Sequence, residues 1–272
     1  MRNWLFGLIA LCVGESAATD ALAQGATRER NFNADIAALT HVIESPESTP
    51  SQRARALDER ANIYFLIQHD LDAAVADLDA ALVLFPNDAD RLVFRGAYRS
   101  TAGQPELALP DFNAAIVMLP DAVAPFRARG IALLHLGRFS EAATDLQQSL
   151  LLNPDLPFAA LELHVARMRL GQDDRGEFDR NTARFVGLNW PVPLLAFFRG
   201  ELAVDALFQA ATSAPSSDRT GNLCEAAYFV GQSALVGEDI PRARALFQMA
   251  SEVCPFDFSE RSGALAELAR LP

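Results

Sequence analysis

Pro86, Pro120 and Pro154 stand 34 residues apart, and five further columns of residues keep step with them. Ala74, Ala108 and Ala142 form one column; Leu78, Phe112 and Leu146 form another. Ala81, Ala115 and Ser149 follow, then Leu82, Ile116 and Leu150, and finally Leu84, Met118 and Leu152. A fixed period of this length means that one supersecondary unit is copied along the chain. Such a unit cannot bury its apolar face alone, so neighbouring copies must stack and the chain is committed to an array. Within each copy the small columns let helices approach, the large columns fill the space between them, and the proline stops the second helix so that the chain can turn.

Small, large, small, large and proline in this order is the tetratricopeptide (TPR) signature. The predicted fold class is therefore all-α: a TPR solenoid of antiparallel helix pairs, with an irregular middle segment and a C-terminal capping helix. Three repeats occupy 53–156, the first carrying one extra residue in the turn around Gln68-His69. Before them, 24–52 holds a polar, uncommitted stretch over 24–31 and a short helix with Ile36, Leu39, Val42 and Ile43 on one face. Thr49-Pro50-Ser51-Gln52 reads as a helix start, with a Thr cap, proline at the first helical position and a Gln to close a capping box. From 157 to 222 the pattern fades into a degenerate repeat and an irregular helical segment, with 212–222 read as a Ser/Thr/Pro/Gly loop. The repeat returns at 223–272 with Gly231, Ala243, Phe247, Ala250 and Pro255, followed by a closing helix carrying Leu265, Leu268 and Leu271.

Residues 1–23 read as an export signal: Arg2, an apolar run from Trp4 to Val13, and Ala21-Leu22-Ala23, with cleavage after Ala23. The apolar run is too short to span a bilayer, and no later run reaches the length a transmembrane helix needs, so no membrane insertion of the mature chain is expected. Cys12 follows Leu11, where a lipid-attachment signal needs a small residue, so it reads as part of the apolar run and a lipid anchor is not expected. Export out of the cytoplasm is therefore expected. Export leaves Cys224 and Cys254 where disulfides persist. Both fall at the same end of the last helical hairpin, and two readings stand: a disulfide, or two separate buried thiols. A net charge of −12 argues against nucleic acid, whose binding rests on Lys and Arg neutralising phosphates.

Nothing in the motifs points to catalysis, a metal or a cofactor. The four histidines (41, 69, 135 and 164) fall in separate elements, and there is no HExxH, no GxSxG and no phosphate-binding glycine loop. The TPR resemblance implies instead that partners lie along one face of the first helices. Carried over by register, the lining is Asn62 and Phe65 in repeat one, Val93, Phe94 and Ala97 in repeat two, and Arg127, Ile131, Leu134 and His135 in repeat three. Two readings stand for these residues: a peptide-holding groove, or contacts with the neighbouring repeat. Chaperone-binding TPR domains clamp a terminal carboxylate with Lys, Asn and Arg; here Asn62 alone matches, and Asp58 replaces the Lys. Trp190, Phe197 and Phe198 are either core of the middle segment or an exposed partner surface.

The order of parts resembles the NlpI-type periplasmic TPR proteins of Gram-negative bacteria. The resemblance runs from the Gln52–Ala61 start of repeat one through Pro157-Phe158 and the Trp190 and Phe197-Phe198-Arg199-Gly200-Glu201 stretch. It continues to Ala227-Tyr228-Phe229-Val230-Gly231 and the closing helix. It implies a non-enzymatic, homodimeric adaptor that hands peptidoglycan hydrolases to a C-terminal-processing protease. The runner-up reading is a structural subunit of an envelope or secretion assembly.

Overall fold

The computed structural model describes residues 21–272, with side chains from Phe32 onward. Most of the expected export signal, Cys12 included, and the Ala23 side chain at its expected cleavage point lie outside the described residues. All regular structure among the described residues is helical, and the chain divides into two compact units, one ending at Arg99 and one spanning Ser100–Pro272.

In the first unit, α1 (Ala21–Glu44) packs on α2 (Pro50–Ile63), and α2 packs on α3 (Leu71–Leu84); α4 (Ala89–Thr101) follows. The stretch over 24–31, read from sequence as uncommitted, is helical backbone within α1. Thr49 caps α2 as expected: its hydroxyl accepts from the Gln52 amide and the Gln52 side chain accepts from the Thr49 amide, so two otherwise orphaned donors are satisfied. The extra residue of repeat one is absorbed by a π-helical turn, Tyr64–Gln68, which ends at His69 in the left-handed region with φ 55°. One residue more than the helical ladder can place widens it locally to i→i+5 pairing. Ala54, Leu57 and Ala81 form a small core with Ile43 and Leu84 against it. Arg60 forks onto Asp77 at 2.8 and 2.7 Å and also donates to Thr40 Oγ1 at 2.7 Å, tying α1, α2 and α3 together.

The second unit continues with α5 (Pro105–Met118), α6 (Val123–His135), α7 (Phe139–Leu152) and α8 (Pro157–Arg169). The irregular middle holds α9 (Arg175–Thr182), α10 (Val192–Phe198) and α11 (Val204–Ser213). The last repeat is α12 (Ser216–Val236) and α13 (Ile240–Val253), and α14 (Ser259–Arg270) closes the chain. The repeat columns become the core: Ala108, Ala115, Ala142, Leu146 and Ser149 are fully or almost fully buried. Helix pairs approach through glycine. A Cβ at Gly130 would sit 2.8 Å from Leu146, and one at Gly231 would sit 2.8 Å from the Phe247 ring.

One further boundary differs from the sequence reading. Residues 216–222 are the first two turns of α12 and not a loop, because Pro215 precedes the first helical residue and Asp218 sits where the helix dipole favours an acid. Gly221 and Asn222 are buried there. Cys224 therefore lies inside α12, and it is bonded to Cys254 at the end of α13 across a Cα separation of 4.6 Å. A cross-link closing this loop restricts the unfolded chain and stabilises by about 3.5 kcal/mol on a chain-entropy treatment.

Trp190, Phe197 and Phe198 are partly buried against the main core. Phe198 meets His164, Phe178 and Phe229 edge-on, which is the core reading of this cluster.

Candidate protein-docking faces

The residues expected to line a groove fall on both units, and each unit treats its set differently. In the first unit, Arg55, Glu59 and Asn62 share one face of α2 at i, i+4 and i+7, and Leu66 follows in the π-helical turn. Asp90, Phe94 and Ala97 repeat that pattern on α4. Phe65 is buried and stacks on Tyr98, with centroids 4.1 Å apart and planes within 8°. The Tyr98 hydroxyl donates to Asn62 Oδ1 at 2.6 Å, and burial raises the phenol above its ordinary pKa, so it stays a donor. Val93 and Ala97 are buried as well. Of the expected lining in this unit, Asn62 and Phe94 keep exposed surface; Phe94 tilts against Tyr98 at 6.4 Å.

Asp58, which departs from the chaperone clamp, has a definite job. Arg91 donates to both its oxygens at 2.8 Å and also reaches Asp88 at 2.7 Å. The carboxylate braces α2 against α4. Glu59, Arg55 and Asp90 remain exposed beside Phe94's helix face. Chemically this is a half-wet aromatic shelf with mixed charges, suited to side-chain pockets for a polypeptide.

In the second unit the corresponding face is already filled. Arg127, Ile131, Leu134 and His135, all on α6, are buried at 9, 8, 5 and 6% exposure. All four touch other parts of the same chain. Arg127 Nε and Nη2 fork onto Glu162 of α8 at 2.9 and 2.6 Å. Burial lifts the Glu162 carboxyl above its ordinary range, and Arg127 opposes the lift. Ile131, Leu134 and His135 border a cavity of about 10 Å³ with Glu162, Val165, Tyr228, Phe229, Ser259 and Glu260. That is room for about one water.

What fills the face is α14. It packs on α6, α12 and α13 and buries Glu260, Gly263, Ala264 and Glu267. Arg270 Nη1 donates to the His135 carbonyl at 2.5 Å. Glu267 accepts from Arg169 of α8 at 2.5 Å and from Gln232 of α12 at 3.0 Å. A Cβ on Gly263 would lie 2.8 Å from the Tyr228 ring and 3.0 Å from His135 Nε2, so α14 fits only because that position is bare. His135 Nδ1 has no hydrogen-bond partner, and burial with Arg270 nearby lowers its imidazole pKa to about 4. Glu260 is lifted to about 7, first by burial and then by Glu162. Trp190 Nε1 donates to Glu225, which places a third buried acid near Arg127.

The sequence reading missed this network. Glu260, Gly263, Ala264 and Glu267 recur at i, i+3, i+4 and i+7, a face legible as a stripe but attributed to Leu265 and Leu268. Leu265 is in fact 48% exposed. A column Asp77, Asp111 and Asp145 at the same 34-residue step was also missed. All three are buried, and Asp77 and Asp145 take forked pairs from Arg60 and Arg129. Among the described residues, no group of three or more His, Cys, Asp or Glu converges as a metal site, and no helix is long and apolar enough to cross a membrane.

No family model and no curated protein matches the chain. Among solved structures it is similar to a tetratricopeptide repeat protein from Parabacteroides merdae, with a TM-score of 0.57 at 16% identity over 88% of this chain and 94% of that one. Yeast Tom70 gives a TM-score of 0.49 at 17% identity over 89% and 59% of the two chains. The first likeness carries the fold: the chain is a TPR solenoid.

Proposed function

We propose that this chain is a non-catalytic, exported adaptor of the bacterial cell envelope that holds segments of partner proteins. The observation that supports the reading is the first-helix face of the first unit, where Phe94 stays partly exposed beside the Phe65–Tyr98 stack. Beside it Arg55, Glu59 and Asp90 stay exposed, and an aromatic among mixed charges is a surface that suits side-chain pockets for a polypeptide. The Cys224–Cys254 bond supports an oxidising compartment. The resemblance to NlpI-type proteins supplies the partners: a C-terminal-processing protease and peptidoglycan hydrolases, with the chain acting as a homodimer.

The test is crosslinking of the exported form in cells, followed by mass spectrometry. The wild type should recover a protease or peptidoglycan hydrolase that Phe94→Asp loses with its helicity intact. Recovery of the chain alone would refute the reading. Leu134→Asp is unsuitable as a groove variant, because it buries a charge at a position only 5% exposed and reports on folding.

A further inference from the structure

Two polar rungs join α2 to α4 in the first unit: Arg91 donates to Asp58, and the Tyr98 hydroxyl donates to Asn62 Oδ1 at 2.6 Å. The second rung orients a side chain. Tyr98 is 1% exposed, and a buried phenol needs an acceptor for its proton. An amide accepts only through its oxygen, so Tyr98 turns Asn62 Oδ1 inward and leaves Nδ2 with both its hydrogens. Burial holds the phenol above its ordinary pKa, so the proton stays on and the orientation stays with it. Among the described residues nothing accepts from Asn62 Nδ2, and that nitrogen is not a buried atom. It is an outward-facing donor pair held by a buried tyrosine.

The charges around this donor are unequal. Arg91 is spent on Asp58 and Asp88. Glu59, one turn before Asn62, and Asp90, one turn before Phe94, are exposed and enter no ion pair among the described residues; Arg55 faces them with the opposite sign. The apolar part is Phe94, whose ring lies 6.4 Å from the Tyr98 ring that holds Asn62, so one bound segment can reach both. Asp90 and Phe94 are four residues apart on α4, about 6 Å along its axis. Alternate side chains of an extended chain point to one side and repeat about every 6.6 Å. The two spacings match.

We infer that the α2–α4 face holds an internal, extended stretch of a partner protein in which a basic and an apolar residue alternate with any other. A backbone carbonyl of that stretch accepts from Asn62 Nδ2, the apolar side chain lies on Phe94, and the basic side chain two residues away meets Asp90. Tyr98 is the positioning residue that makes Asn62 a donor. A terminal carboxylate is the wrong occupant, because the unpaired Glu59 and Asp90 repel it and Arg91 is already taken. This deepens the adaptor reading and rests on it for the partner being a protein.

The experiment uses the full chain and, as probe, the fluorescent peptide Lys-Ser-Leu-Ser-Lys with both ends blocked, its binding followed by anisotropy. Two controls are the blocked peptide with Glu in place of Lys, and the Lys peptide with a free terminal carboxylate. The blocked basic peptide should bind, the acidic one should not, and the free carboxylate should bind no more tightly. Asn62→Ala should weaken binding by about three- to tenfold, the loss of one hydrogen bond to a neutral acceptor. Tyr98→Phe keeps the ring stacked on Phe65 and should weaken binding by a similar factor, yet add nothing on top of Asn62→Ala; a merely structural tyrosine would weaken both backgrounds alike. Asp90→Lys, at an exposed position outside the core, should weaken the basic peptide with the fold intact. The inference is overturned if the wild type ignores the basic peptide at millimolar concentration, if the acidic peptide or the free carboxylate binds better, or if Asn62→Ala or Asp90→Lys changes nothing. It is overturned too if Tyr98→Phe acts equally in both backgrounds. Crosslinking in cells separates the two readings: the chain recovered alone with the peptide pattern intact sinks the adaptor reading and spares the site, and envelope partners recovered without that pattern do the reverse.

Discussion

Replacing Glu260 with Gln should make a pH-tolerant unit pH-sensitive. In the folded chain Glu260 is lifted from the ordinary 4.5 to about 7, so its contribution to stability is full below about pH 4.5 and is lost as pH rises through 7. His135 is lowered from 6.5 to about 4, so its contribution is present above about 6.5 and is lost as pH falls through 4. Each shift of roughly 2.5 units corresponds to on the order of 3 kcal/mol. The two slopes oppose one another in the same window, between the ordinary values of 4.5 and 6.5. Glu162, also lifted by burial and close enough to titrate jointly with Glu260, adds to the acid side. The groups facing this pair are Arg127 and Glu162 around Glu260, with Ser259 beside it, and Arg270, Glu267, Tyr228 and Glu260 around His135. In the wild type, acidification from pH 6.5 to 4.5 should change the stability of the second unit little. Glu260→Gln removes the main acid arm and leaves only Glu162 to offset His135, so relative to the wild type the variant should lose up to about 3 kcal/mol between pH 6.5 and 4. The assay is urea unfolding across this range, followed by the fluorescence of Trp190 in a chain where Trp4 is replaced by Phe. A variant whose pH profile runs parallel to the wild type would refute the opposing-titration argument.

Gly231→Ala should destabilise the second unit by about 1–3 kcal/mol, since the new methyl meets the Phe247 ring at 2.8 Å in a packed core; urea midpoints at constant m-value check this. Reducing the Cys224–Cys254 bond, or changing both residues to Ala, should cost about 3.5 kcal/mol, and unfolding with and without reductant should then coincide in the Ala pair.

The sequence by itself determined the array. A 34-residue step with small, large and proline columns leaves few ways to bury apolar area, because each column has one role in a helix hairpin and every copy repeats it. Ala108, Ala142 and Leu146 therefore sit where the period put them, and the Thr49–Gln52 box opens α2 as its chemistry requires. Local rules end where the period does. That 216–222 is helix depended on the burial of Gly221 and Asn222, which turn residues alone do not advertise. The candidate site was legible as a set of positions but not as a state. Register placed Phe94 and His135 in equivalent roles, and tertiary contacts separated them: Phe94 keeps solvent, whereas His135 lies under Gly263, 128 positions further along the chain. Periodicity encodes neighbours within a turn or within adjacent repeats. The return of a distant helix onto a face of paired charges and aromatic rings is a long-range choice, and only packing in three dimensions made it.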